Sequence, residues 1–129
     1  MCKKILLAII LMSFTGLTAY AARNKVFEEH VNNELAFYHN VKTCTPIESA
    51  EPNFNASRKI YGEENGTCHF MYRNNIDCHL PLDVARKFSE VGTRVYNDYS
   101  DYGMITSTTA DIKFLDNGVL YNSRYCRVK

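Results

Sequence analysis

Apolar positions along the chain fall into three patterns, and each predicts a different element. An unbroken apolar run, Ile5 to Met12, stands between Lys3-Lys4 and the small residues of Ala19-Tyr20-Ala21. A basic start, a short apolar stretch and small residues at positions minus three and minus one are what export and cleavage machinery reads. Residues 1–21 are therefore expected to be a secretory signal peptide, cleaved after Ala21. The run is too short, and too soon followed by Arg23 to Lys25, to cross about 30 Å of hydrocarbon, so no stable membrane span is expected after cleavage. Cys2 precedes the run, which excludes it as the lipid-bearing cysteine of a bacterial lipoprotein.

The second pattern has the helical period. From Asn24 to Val41, Phe27, Val31, Leu35 and Tyr38 recur at spacings of four, four and three, the signature of one helical face. Pro81 to Tyr96 predicts a second helix: Pro81 suits the first helical position, Asp83 sits near the positive helix end, and Leu80, Val84, Phe88, Val91 and Val95 make a stripe. Gly92 weakens that helix by about 1 kcal/mol relative to alanine, so it either ends the helix early or lets a neighbour pack closely.

The third pattern is β. Between Arg58 and Tyr72, Asn65-Gly66 separates two β-leaning runs, and this dipeptide accepts the positive φ of a type I′ turn, which predicts a hairpin. After Tyr102-Gly103, Asn117-Gly118 predicts a second hairpin. A two-residue loop there would place Phe114 opposite Tyr121, Ile112 opposite Ser123 and Ala110 opposite Tyr125, all on one face. Lys42 to Asn55, with Pro46 and Pro52 and neither period, reads as a loop containing Cys44. Removing 21 residues from 129 leaves 108, one domain's worth. The expected fold is a single small α+β domain over residues 22–129, with two helices packed on an antiparallel sheet built from two β-hairpins and stabilised by disulfides.

Of five cysteines, Cys2 leaves with the leader, and Cys44, Cys68, Cys78 and Cys126 remain, an even number suited to two disulfides in an oxidising compartment. Four cysteines allow three pairings. We expect Cys44 with Cys78, tying the loop after the first helix to the start of the second, and Cys68 with Cys126, joining the hairpins. Against the second pair, Cys126 has the opposite parity from Tyr121 and Tyr125 and would face outward unless a bulge precedes it.

Charge changes the picture only by exclusion. Fifteen Lys plus Arg face fourteen Asp plus Glu, and losing Lys3 and Lys4 leaves thirteen against fourteen. A nucleic-acid binder should carry a basic excess, because phosphate neutralisation supplies much of its affinity, so no nucleic-acid partner is expected.

Candidate chemistry is sparse. Cys68-His69 and Cys78-His79 together resemble a zinc ligand set, but in a strand Cys68 and His69 point to opposite faces, and export favours disulfides; no metal and no cofactor are expected. His30 and His39 are nine helical residues apart and lie on opposite sides of a helix, and the Glu28-Glu29-His30 stretch lacks the spacing of a helical metalloprotease motif. Gly-x-Ser-x-Gly and Gly-rich phosphate loops are absent. Asp98 and Asp101 lack the spacing of a calcium loop and read as cap or turn residues. Asn55-Ala56-Ser57 and Asn65-Gly66-Thr67 match a glycan acceptor pattern, which the bacterial look of the short, lysine-paired leader makes a coincidence.

Tyrosine is the unusual abundance: nine in the chain, and no tryptophan. Tyr96, Tyr99 and Tyr102, spaced by three, would align on a continued helical turn and form a partner-binding surface, since tyrosine buries area while keeping a polar tip. The expectation is a non-enzymatic binding or interaction protein, exported to the periplasm or extracellular space, whose partner is a protein or a small ligand. The alternatives are a small secreted hydrolase with a site assembled from residues distant in sequence, or an inhibitor of a secreted enzyme.

Overall fold

The computed structural model describes residues 25–51, 56–102 and 108–129, and for residues 99–102 the description stops at the helical backbone. The expected signal peptide, residues 1–21 with Cys2, lies outside the described residues. The chain divides into two units, Met1–His30 and Val31–Lys129. In the first, residues 25–30 are helical. The second is an α+β unit: helix α1 (residues 31–43) and strands β1 (Ile47–Glu51), β2 (Ala56–Glu64), β3 (Thr67–Tyr72) and β4 (Ile76–Pro81). Helix α2 (Leu82–Tyr102), helix α3 (Thr109–Leu115), a π-helical turn (Asp116–Leu120) and strand β5 (Cys126–Val128) complete it.

The five strands form one antiparallel sheet in the order β1-β2-β3-β4-β5. One face is buried: Arg58, Ile60, Cys68, Phe70, Tyr72, Ile76, Cys78, Leu80 and Cys126 alternate inward along their strands. Onto it pack Phe37, Tyr38 and Val41 of α1 and Ala85, Phe88, Val91 and Val95 of α2. Aromatic edges and faces lock the layers: Phe37 meets Phe70 edge-on at 5.3 Å, Phe88 stacks on Phe70 at 5.6 Å, and Tyr38 lies 5.1 Å from Phe88.

Several expectations hold in outline and move in detail. The β2–β3 hairpin turns at Asn65 and Gly66, both with positive φ (52° and 80°). Helix α2 starts one residue later than predicted, because Pro81 closes β4 opposite Thr67, and it runs on to Tyr102. Gly92 does not end it: an added Cβ would lie 2.1 Å from Tyr38 Cδ1, so the glycine is there for close packing.

Other expectations are overturned. The region read as a loop carries β1, which leaves Pro46 and pairs with β2 alone as an edge strand. The second hairpin does not form. Thr108 accepts from the Asp111 backbone N–H at 3.2 Å and caps α3, and Asn117-Gly118 lies in the π-helical turn that continues it. Phe114–Tyr121, Ile112–Ser123 and Ala110–Tyr125 are therefore not strand pairs, and the sheet is built from β1 to β4 with β5 added at the edge.

The disulfide pairing differs for the same reason. Cys44 bonds Cys68, and Cys78 bonds Cys126, in place of Cys44–Cys78 and Cys68–Cys126. Cys126 pairs directly with Cys78 across the β4–β5 ladder, with Cα atoms 4.1 Å apart, so its inward direction is set by β4 and not by the hairpin parity read from Tyr121. Cys44, in the left-handed region at φ 52° just past α1, sits over the centre of the sheet, where Cys68 points inward. Two disulfides suggest an oxidising, exported environment. Among the described residues, no helix is long and apolar enough to cross a membrane.

Candidate functional site

Two arrangements of polar side chains stand out, one at the end of the core and one on the outer face of the sheet. The first grows from a buried ion network. Arg58 on β2 donates to Glu34 on α1 and to Glu51 on β1, with Arg58 and Glu34 fully buried. Tyr72 donates its hydroxyl to the other Glu34 oxygen at 2.8 Å. Desolvation alone would pull the Arg58 guanidinium down, but the Glu34 and Glu51 carboxylates more than offset it and hold it charged. Burial pushes the phenols of Tyr38 and Tyr72 well above the ordinary tyrosine value, and the Glu34 charge pushes both further. Tyr96, stacked on Tyr38 at 5.6 Å, is raised by the same two causes.

These tyrosines floor a cleft of about 180 Å³. Tyr38, Tyr72 and Tyr96 meet Ile76 and Val95 at its base, Ile112, Leu115 and Leu120 wall it, and Arg73, Asp116 and Tyr121 stand at its rim. The rim cation comes from the turn between β3 and β4, where Arg73 and Asn74 both have positive φ (49° and 68°); the Arg73 guanidinium carbon lies 5.2 Å from the Tyr72 ring centroid. The cleft thus offers apolar walls, phenols, one guanidinium and one carboxylate, a set that holds a ligand in orientation.

Tyr96 is the member of the predicted tyrosine surface that the structure describes. It is half-buried and faces the core and the cleft. Tyr99 and Tyr102 lie on the same helix, their side chains outside the described residues. His39 lines a groove of about 450 Å³ between α1 and α2 together with Lys42, Glu90, Arg94 and Asp98. His30 lies beside Phe27 in the N-terminal unit, ring centroids 6.4 Å apart.

The second arrangement is a stacked ladder on the outward sheet face. His69 on β3 and His79 on β4 are direct cross-strand partners, and their rings stack at 4.1 Å with 12° between planes. Tyr61 stacks on the other side of His69 at 4.3 Å. A β-bulge at Tyr61, between Ile60 and Gly62, inserts one extra residue in β2. That insertion shifts the parity, so Tyr61 and Glu64, three residues apart, both reach His69: Glu64 Oε1 is 3.0 Å from His69 Nδ1. On the opposite edge of the ring, Asp77 Oδ1 is 2.7 Å from His69 Nε2. Partial burial raises the Asp77 carboxyl, but hydrogen bonds from His69 and Lys129 outweigh it and leave the group below the usual carboxylate range.

In sequence alone, Cys68, His69, Cys78 and His79 resemble one weak ligand set. The structure divides them by face: both cysteines turn inward to separate disulfides, and both histidines turn outward to each other. The missed signal is symmetry, since Asn74 lies midway between His69 and His79 and an antiparallel turn centred there pairs them. Glu34 and Arg58 were missed because a charged residue on a buried face breaks the apolar pattern by which faces are found. Comparison with known proteins returns no matching family model, no matching curated protein and no matching solved structure.

Proposed function

We propose that the chain is an exported, disulfide-stabilised, non-enzymatic binding module that receives one apolar or aromatic side chain of a partner protein in the tyrosine cleft. The observation that carries this reading is the rim: Arg73 stands over the buried rings of Tyr38 and Tyr72 and the half-buried Tyr96, at the mouth of a cleft too small for a drug-sized ligand. A space of about 180 Å³ suits a single side chain. Arg73 and Asp116 would then read the charges of its neighbours, and Tyr121, 59% exposed, would cover the partner backbone. The predicted leader and the two disulfides support a periplasmic or extracellular place of action.

The reading is tested by selecting binders from a displayed random-peptide library on protein recovered with both disulfides formed. The expected outcome is enrichment of peptides with one large apolar anchor beside an acidic residue. Arg73→Glu should reverse the preference for the acidic neighbour, and Ile112→Asp should abolish enrichment. Enrichment indifferent to both substitutions would remove the cleft as the binding surface.

A further inference from the structure

We infer that the outward sheet face carries a metal site: Glu64, His69 and His79 bind one divalent late transition-metal ion, with Asp77 orienting His69 from behind. The inference goes beyond the cleft reading and uses none of its residues.

His69 meets a carboxylate at each of its two ring nitrogens. A carboxylate only accepts, so each of its two contacts with the ring needs something electropositive between the heavy atoms. At Nε2 that is a proton, shared with Asp77 at 2.7 Å. A proton there fixes the tautomer and leaves the Nδ1 lone pair facing Glu64 Oε1 at 3.0 Å, where two acceptors would repel unless a second proton or a cation lies between them. Carboxylate behind histidine in front of metal is the usual outer-shell arrangement, and the carboxylate raises the basicity of the ligating nitrogen.

His79 decides between proton and metal. One ligand atom from each of Glu64, His69 and His79 falls within 4.8 Å of the others. A proton bridges two atoms, whereas a cluster of two imidazoles and a carboxylate is a ligand set for a borderline metal ion. Imidazole and carboxylate ligands suit divalent late transition metals, and the general affinity order places Cu²⁺ first. His79 is exposed and free of the core, so it can turn out of the stack to point a nitrogen at the ion. Asp77 and Glu64 balance the two charges of the ion, and the rest of the coordination sphere is open to water.

The test is titration of untagged, fully oxidised protein with Cu²⁺, Ni²⁺ and Zn²⁺ by calorimetry, with electron paramagnetic resonance of the Cu²⁺ form. The expected result is one saturable site, tightest for Cu²⁺, with hyperfine structure from two imidazole nitrogens. His79→Ala should weaken Cu²⁺ at least about tenfold and reduce the coupling to one nitrogen, and Asp77→Asn should weaken it about tenfold with two nitrogens kept. His39→Ala, on the groove between the helices, should change neither. Circular dichroism of each variant separates lost binding from lost fold. Absence of a saturable site, or a site unaltered in a folded His79→Ala variant, overturns the inference. Either result leaves peptide selection at the cleft unaffected.

Discussion

Arg58 and Glu34 are joined through a single carboxylate oxygen: Nε and Nη2 of the guanidinium both donate to Glu34 Oε1, and neither residue is exposed to solvent. The pair fixes α1 against β2, and the second Glu34 oxygen fixes Tyr72 on β3. A buried ion pair adds little net stability over a well-packed apolar replacement, but breaking one half of it leaves an uncompensated charge and costs about 3–5 kcal/mol. Arg58→Met strands Glu34 and Glu51 together and should show that loss in urea unfolding. Glu34→Gln keeps an acceptor for Arg58 and should lose less. Equal stability of Arg58→Met and the parent would mean that the network is not closed in solution.

Gly92→Ala pits helix propensity against packing. Alanine in a helix interior is favoured over glycine by about 1 kcal/mol. The new methyl, however, would stand 2.1 Å from Tyr38 Cδ1 and 2.2 Å from Cε1, far inside van der Waals contact, and Tyr38 is held by Phe37, Tyr72, Phe88 and Tyr96. Overpacking a filled core costs about 1–3 kcal/mol, so the substitution should lower the thermal midpoint despite the better helix former. A raised midpoint would show that the ring moves aside freely.

Alkaline pH should unfold the protein through its buried phenols. Burial raises Tyr38, Tyr72 and Tyr96 above their unfolded value of about 10. A raised folded value means that the folded state holds the proton more tightly. The associated stability is fully present below about 10 and is lost as pH rises from there through the folded values. The urea midpoint should therefore fall steeply only above that point, and part of the phenolate absorbance should appear together with the loss of near-ultraviolet circular dichroism. Complete phenolate formation in a still native protein would contradict the burial of these rings.

The α+β class, the first hairpin, both long helices and the presence of two disulfides were legible because each rests on local information: period, turn dipeptide or cysteine parity. What was not legible rests on tertiary choice. Thr108 and Asp111 form a helix-capping signature, yet Asn117-Gly118 is the stronger local turn signal, and in the helical form Leu115, Val119 and Leu120 are buried in the core. Ile76 to Pro81 was divided between an unassigned stretch and a helix start, and without that strand neither the His69–His79 pair nor the Cys78–Cys126 pair could be placed. Of the stripe read as Phe27, Val31, Leu35 and Tyr38, Val31 and Tyr38 are buried, Leu35 is half-buried and Phe27 is exposed; the buried face also takes in Glu34, Phe37 and Val41, because a paired glutamate takes an inward position that the apolar pattern leaves unmarked.

The two disulfides close loops of unequal length, which sets the order of their contributions. Cys44–Cys68 spans 24 residues and Cys78–Cys126 spans 48. On the chain-entropy account these correspond to about 3.5 and about 4.1 kcal/mol, a doubling of loop length adding about 0.6 kcal/mol. The longer bridge also has the heavier structural task, because β5 is three residues long and is held on one side only. Cys78→Ala with Cys126→Ala should thus destabilise more than Cys44→Ala with Cys68→Ala, and by more than the loop term alone. Amide exchange should accelerate first at Lys129, which donates to the Asn75 carbonyl at 2.8 Å, and at His79, which donates to the Tyr125 carbonyl at 2.9 Å. The reverse order of stability would place the main effect in the native state around Cys44, where the bridge ties the end of α1 to the centre of the sheet.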